Sequence, residues 1–151
     1  MRRFPRILFV TLLMLCLSGI ASAQKLTDPG TPEEQKSAMI VAERALRQFD
    51  NAQWDASWEL VGDYLRTLVD QKGWPRAVAT LRGGLGAIQS REPDTIGFSD
   101  ALPDVPPGRY AVLMFRSNFE HKTVREKVVL VRDERIWKLA GYFVRHRPNA
   151  E

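Results

Sequence analysis

The hydrophobic pattern of this chain changes its period near Arg91, and this change limits the fold more than any other feature of the sequence. Before that residue, apolar side chains recur at steps of three and four, which indicates helices that bury one stripe. After it, β-branched and aromatic residues alternate with polar ones, which indicates strands with one buried face. The order predicts an α+β domain, with N-terminal helices packed on one face of a curved antiparallel sheet.

Three helices are predicted before the change of period. The first begins at Pro32, because residues 31–34 supply a capping box with a proline at the first helical position, and it runs to about Phe49. The second is short, carries Trp54, Trp58, Val61 and Leu65, and is interrupted or bent near Gly62. The third begins at Trp74 and presents one apolar face as far as Ile88. A loop that cradles phosphate follows a strand, so the glycines of residues 82–86 are instead expected to close this helix.

Four strands are predicted at residues 95–99, 109–119, 123–132 and 136–145. Loops of even length in the last two hairpins define the two faces of the sheet. The face toward the helices then carries Leu113, Phe115, Ser117, Phe119, Val124, Glu126, Val128, Leu130, Trp137, Leu139, Gly141 and Phe143. The opposite face carries the cations Arg116, Arg125, Lys127 and Lys138, together with Tyr110, Val112, Met114, Val129, Val131 and Ile136.

Residues 1–23 have the three-part pattern of a signal peptide. They combine a basic start, an apolar run from Ile7 to Leu17, and a small-residue end at Ala21-Ser22-Ala23. The run is shorter than the roughly 20 apolar residues that cross a bilayer, so no membrane anchor is expected after processing. We expect cleavage after Ala23 and a periplasmic or secreted product. It would comprise a flexible leader at 24–31, one domain at 32–145 and a polar tail at 146–151.

Charge and cysteine content exclude several classes of function. The chain has 22 Lys and Arg against 18 Asp and Glu, and three of the cations lie in residues 1–23, so the remainder is nearly neutral and no nucleic-acid partner is indicated. The only cysteine, Cys16, is expected to leave with the signal peptide. Without a thiol and with only His121 and His146, no Cys–His dyad, zinc site or other metal site is indicated, and no cofactor is expected.

Several segments together resemble the bacterial domain-of-unknown-function family 4019. They are Trp74…Arg82…Leu85-Gly86, Ser90-Arg91, Leu102-Pro103…Pro106-Pro107-Gly108-Arg109-Tyr110, Glu126-Lys127-Val128, and Trp137-Lys138-Leu139-Ala140-Gly141-Tyr142-Phe143. The family usually has Asp-Gly before the tryptophan, where this chain has Glu134-Arg135. The resemblance implies a small exported domain similar to the nuclear-transport-factor-2-like, or cystatin-like, cone. It implies no established activity and no assigned catalytic residue.

Glu126 is the principal candidate site residue, because the predicted register places this carboxylate on the apolar face beside Ser117. A carboxylate there must be paired, face a solvated opening, or have a raised pKa. The sequence leaves two interpretations open. Glu126 is a structural partner of Arg82 or Arg91 from the helical layer, or it faces a cavity as a ligand-binding or catalytic carboxylate, with Tyr64 as the hydrogen-bond donor.

Three tryptophans, Trp54, Trp58 and Trp137, are ligand-binding candidates at the mouth of such a cavity, although their positions on apolar stripes favour core packing. The leading hypothesis is an exported, non-catalytic binding or interaction module with a partly open apolar cavity. Its partner would be a small apolar ligand or an envelope protein. One alternative is an acid–base enzyme of the isomerase or dehydratase type that uses Glu126. Another is a structural homodimer that associates through the sheet face away from the helices.

Overall fold

The computed structural model describes Leu26 and residues 28–146, so the predicted signal peptide lies outside the described residues. The elements are α1 (Pro32–Asp50), α2 (Trp54–Trp58), α3 (Asp63–Leu68), α4 (Trp74–Leu81), β1 (Ile88–Ser99), β2 (Tyr110–Phe119), β3 (Thr123–Asp133) and β4 (Ile136–His146). This order confirms the α+β class. In the described part of the chain, no helix is long and apolar enough to cross a membrane.

Helix α1 begins with the predicted capping box. The Thr31 hydroxyl accepts a hydrogen bond from the Glu34 amide at 3.1 Å, and the Glu34 carboxylate accepts one from the Thr31 amide at 2.9 Å. Both bonds satisfy amides that the first turn of a helix leaves without an intrahelical partner. The buried stripe of the helix packs on the sheet and consists of Ala38, Ala42, Ala45, Leu46 and Phe49.

The predicted second helix is interrupted near Gly62 and forms two helices, α2 and α3, and the chain between them pairs with the edge of β4. The Gly62 amide donates to the Leu139 carbonyl at 2.8 Å, and the Leu139 amide donates to the Leu60 carbonyl at 2.6 Å. Because β4 is an edge strand, this pairing satisfies backbone groups that would otherwise remain open to another chain.

Helix α4 is shorter than predicted and ends at Leu81. Gly84 and Gly86 have positive φ angles of 72° and 78°, which a helix does not accommodate. Leu85 therefore lies beyond the helix, and Ile88 is the first residue of β1 instead of a helical residue. The prediction that the glycines close the helix is confirmed, but the prediction that its apolar face continues to Ile88 is wrong.

The four strands form one antiparallel sheet in the order β1-β2-β3-β4. Strand β1 begins at Ile88, although the sequence predicts its start at Thr95. The additional residues include Arg91, Glu92 and Pro93, which weaken the period-two pattern on which the prediction depended. An edge strand tolerates a proline because one of its sides makes no ladder hydrogen bonds.

A β-bulge in β4 alters the predicted faces of the sheet. Val129 pairs with Gly141 while its neighbour Leu130 pairs with Leu139, so Ala140 is an additional residue in β4. Beyond the bulge the side chains change faces, because side-chain direction alternates along a strand. Contrary to the predicted assignment, Gly141 and Phe143 lie on the side away from the helices, and Tyr142 lies on the buried side. The remaining predicted inward positions are buried.

The core lies between the helices and the sheet. Its main cluster joins α1, α2 and α4 to all four strands, and includes Leu46, Phe49, Trp58, Trp74, Val78, Phe98, Leu113, Phe115, Val128, Leu130, Trp137, Leu139 and Tyr142. A smaller cluster of Leu85, Phe119 and Val124 packs at one end of the sheet. Between the two clusters, the inner face of the sheet carries a group of charged and hydroxyl side chains.

Candidate functional site

Glu126 is completely buried on the inner face of β3, and both of its carboxylate oxygens are occupied by donors. Oε1 accepts from Arg82 Nη2 at 2.7 Å and from the Tyr142 hydroxyl at 2.6 Å. Oε2 accepts from Arg91 Nε at 2.7 Å and from the Ser117 hydroxyl at 2.6 Å. The structure therefore places Arg82 and Arg91, the two arginines considered from the sequence, on this carboxylate. Arg91 belongs to strand β1 and not to the helical layer.

Asp50, the last residue of α1, joins the same two arginines from the helical side. Its Oδ1 accepts from Arg82 Nη1 at 2.8 Å and from Arg91 Nη2 at 2.9 Å, and its Oδ2 accepts from Arg91 Nη1 at 2.7 Å. Arg82 Nε donates to the Tyr142 hydroxyl at 2.8 Å. We call these six residues the buried charge cluster: Asp50, Arg82, Arg91, Ser117, Glu126 and Tyr142.

The buried charge cluster balances its own charge, with two carboxylates and two guanidinium groups. Burial alone would raise the pKa of Glu126 and of Asp50, but Arg91 and Arg82 hold both values below the ordinary range. Burial and the negative charge of Glu126 raise the pKa of Tyr142. At neutral pH both carboxylates are therefore ionised and the tyrosine keeps its proton. The pKa values of all three groups are thus shifted away from neutral pH, whereas an efficient general acid or base has a pKa near the operating pH.

Local sequence explains why these side chains meet. Ser117 lies opposite Arg91 in the register of β1 and β2, and its small side chain leaves room for the guanidinium to extend across β2 to Glu126. Arg82 is the C-cap residue of α4, so its side chain leaves the helix where the chain turns toward the sheet. Asp50 would be unfavourable at the C-terminus of a helix, where the dipole favours cations, and the two arginines supply them.

The other predicted site residues are dispersed over the molecule. The Tyr64 hydroxyl donates to the backbone carbonyl of Asp104 at 3.1 Å, so the tyrosine beside Glu126 is Tyr142. Trp58 is buried against Trp74 in the helical layer, and Trp54 is half-buried on the same core cluster. Trp137 is buried, and its indole nitrogen donates to the Ser37 hydroxyl at 2.9 Å. The structure brings Ser117 together with Glu126 and leaves the tryptophans in packing positions.

Sequence reasoning missed Asp50 and Tyr142 as members of the buried charge cluster. Asp50 directly follows Phe49, where the sequence predicts the end of α1, and the available signal was that an acid at the C-terminus of a helix requires a nearby cation to be favourable. Tyr142 was missed because the predicted register contained no bulge. Gly141 within a strand was the available signal, since an isolated glycine in a strand often marks a bulge.

The described part of the chain contains shallow depressions. A groove of about 190 Å³ runs between α3, the loop before β2 and the β3–β4 hairpin, and Tyr64, Tyr110 and Pro106 contribute to its wall. A second depression, of about 230 Å³, lies beside Arg91 and Phe115. Both are smaller than the roughly 300–1,000 Å³ of typical small-molecule sites. An open depression of about 600 Å³ is lined largely by polar residues, namely Asp55, Asp70, Gln71, Lys72 and Pro75.

Metal ligation has no support in the described residues, among which no group of three or more His, Cys, Asp or Glu side chains could hold an ion. Both carboxylates of the buried charge cluster face guanidinium groups. Cations already occupy the positions around them.

Comparison with known proteins places the chain in a family. The model of a protein of unknown function (DUF4019) matches residues 41–142, which is more than half of the chain. The chain belongs to the DUF4019 family. No curated relative and no solved structure matches it.

In this DUF4019 domain, the segments that carry the resemblance supply ion pairs within the chain. Arg82, Arg91, Glu126 and Tyr142 belong to the buried charge cluster. Arg109 forms a second, more exposed group, in which its guanidinium contacts Glu34 at 3.1 Å, Asp28 at 2.6 Å and Asp100 at 3.3 Å. The charged residues of these motifs thus join the helices, the loop before β2 and the chain before α1 to the sheet.

Proposed function

We propose that this DUF4019 domain is an exported, non-catalytic interaction module that acts through its surface. The observation that supports this function is the saturation of Glu126, whose two oxygens accept four hydrogen bonds from within the chain. A carboxylate in this environment has no free lone pair directed at a substrate and no pKa suited to proton transfer at neutral pH. The interior thus functions as a structural core.

The acid–base enzyme remains the alternative hypothesis, and the contacts favour it less. It requires a second polar group that converges with Glu126 on a reacting atom. Tyr64 bonds to the loop before β2 instead, and Tyr142 and Ser117 both direct their hydroxyl protons at the carboxylate itself. The groove beside Tyr64, which offers apolar side chains to a small ligand, has a volume of about 190 Å³, below that of typical small-molecule sites.

Site-specific photo-crosslinking in the cells that export the protein tests the proposed function. A benzoylphenylalanine residue replaces one exposed residue at a time: Phe143 on the sheet face away from the helices, Asp63 beside the groove, and Ile40 on α1. An interaction module predicts an adduct with a discrete partner at one or more of these positions. The absence of an adduct at all three would contradict the proposal.

A further inference from the structure

Three arginines lie side by side on the sheet face away from the helices, which we call the outer face. Arg116 of β2 pairs with Arg125 of β3, and Arg125 pairs with Arg145 of β4. This arginine row crosses three adjacent strands in a single line and spans roughly 10 Å. The Arg116 and Arg125 side chains are 50% and 53% exposed, so the row faces solvent.

The arginine row is unfavourable for the isolated domain, because like charges directly opposite each other destabilise a sheet. Two carboxylates offset part of the repulsion: Glu92 pairs with Arg116 in the register of β1 and β2, and the Asp94 oxygens lie 3.2 Å from Arg125 and 4.0 Å from Arg116. Arg145 forms no ion pair with any residue that the structure describes. Burial and the charge of Arg145 also lower the pKa of Lys127, the cation next to the row. The positive charge on this side thus exceeds what the domain neutralises.

Apolar side chains continue the outer face directly beside the row. The next line across the same strands is Met114, Lys127 and Phe143, and the line after it begins with Val112 and Val129. Phe143 is 48% exposed, and the Lys127 ammonium lies 5.4 Å from its ring centroid. Arginine, methionine and phenylalanine are enriched in protein interfaces, where arginine often contributes much of the binding energy.

We propose that the outer face docks a protein whose surface presents carboxylates beside apolar side chains. The inference rests on the proposed function and specifies the surface and the partner for it. Partner carboxylates would form bidentate pairs with the arginine row, and partner apolar groups would cover Met114 and Phe143. Binding would neutralise Arg145 and relieve the repulsion that the free domain tolerates.

The charge pattern favours an acidic protein over a second copy of this chain and over a membrane. A second copy stacked on this face would add its own three arginines to the cationic side. The headgroups of an anionic bilayer that contact the cations would also meet Glu92 and Asp94 on the same face, and like charges repel. A protein surface can place carboxylates against the arginine row and apolar side chains against Met114 and Phe143 at the same time.

Charge reversal of the arginine row is the decisive variant. With benzoylphenylalanine at position 143, the parent chain should form an adduct with another protein. The yield of that adduct should fall at least tenfold in R125E/R145E. The matched control R44E/R76E, which reverses two exposed arginines of α1 and α4, should retain it.

The partner, identified by mass spectrometry and purified, should bind the parent chain at about 0.15 M salt. Binding should weaken at least tenfold for R125E/R145E and for the milder R125Q/R145Q.

Stability measurements separate docking from a structural role of the same residues. The urea midpoint of R145Q should equal or exceed that of the parent chain, since the substitution removes a repulsive charge. A clear loss of stability would overturn the inference, because Arg145 would then support the fold.

Three further results would also overturn it: an adduct with twice the mass of this chain, flotation with phosphatidylglycerol vesicles that R125E/R145E abolishes, or no adduct at position 143. Adducts at position 63 or 40 alone would leave the proposed function standing and exclude the outer face.

Discussion

Arg91 and Glu126 form a 2.7 Å ion pair, although strand β2 separates β1 and β3, on which they lie. The pair crosses Ser117, whose small side chain leaves the necessary space and contributes a hydroxyl of its own. Asp50 binds the other edge of the Arg91 guanidinium, so this arginine connects the end of α1 to the interior of the sheet. The packing of the first helix on the sheet therefore depends on ionic contacts as well as on its apolar stripe.

Acid should weaken the fold through the buried charge cluster. The pKa values of Asp50 and Glu126 are lower in the folded chain than their ordinary values of 3.8 and 4.5. Their stabilisation is thus fully present above those values and is lost as the pH falls through the lower folded values. Urea unfolding at pH 7 and at pH 3 should show the loss. Because Glu34 at the Arg109 group also has a lowered pKa, the loss should persist in Glu34→Gln. A pH-independent free energy of unfolding would contradict the prediction.

Two glycines before β1 differ in the space that each leaves for a side chain. Gly84 and Gly86 both have positive φ angles, but a Cβ on Gly84 meets nothing within 4 Å, whereas one on Gly86 would lie 2.7 Å from Glu120 Cβ. Gly84→Ala should cost about 1 kcal/mol from backbone strain alone. Gly86→Ala should cost roughly 1–3 kcal/mol more, because the hairpin that contains Glu120 must shift. Equal urea midpoints for the two variants would contradict the predicted contact.

Sequence patterns predicted most of the fold because the apolar periodicity of α1, β2 and β3 is strong and their ends carry clear signals. The capping box at Thr31 and the interruption near Gly62 are confirmed. The apolar pattern gave wrong predictions at two places. Ala140 is an additional residue that reverses the alternation of side chains in β4, and charged residues and a proline at 91–93 hide the start of the edge strand β1. The same pattern identified Glu126 together with Arg82 and Arg91. The contact of Asp50 with the arginines depends on how α1 packs on the sheet, and the inward direction of Tyr142 depends on the bulge. Apolar periodicity encodes neither.

Export remains a prediction from the sequence. Cleavage after Ala23 should give a protein that begins at Gln24, because the preceding residues end in the small-residue pattern that signal peptidases require. Intact-mass measurement of material recovered outside the cytoplasm tests this. Retention of residues 1–23 would contradict it and would require another account of how the chain reaches an envelope partner.

Urea unfolding of Glu126→Gln tests most directly whether the interior is structural. The substitution removes the negative charge that balances Arg82 and Arg91, so the free energy of unfolding should fall by roughly 3–5 kcal/mol. The control Glu59→Gln changes an exposed carboxylate of the same type and should stay within about 0.5 kcal/mol of the parent chain. A loss of several kcal/mol for Glu126→Gln alone is the result that we predict. A loss below about 1 kcal/mol would contradict the structural account and favour a cavity carboxylate.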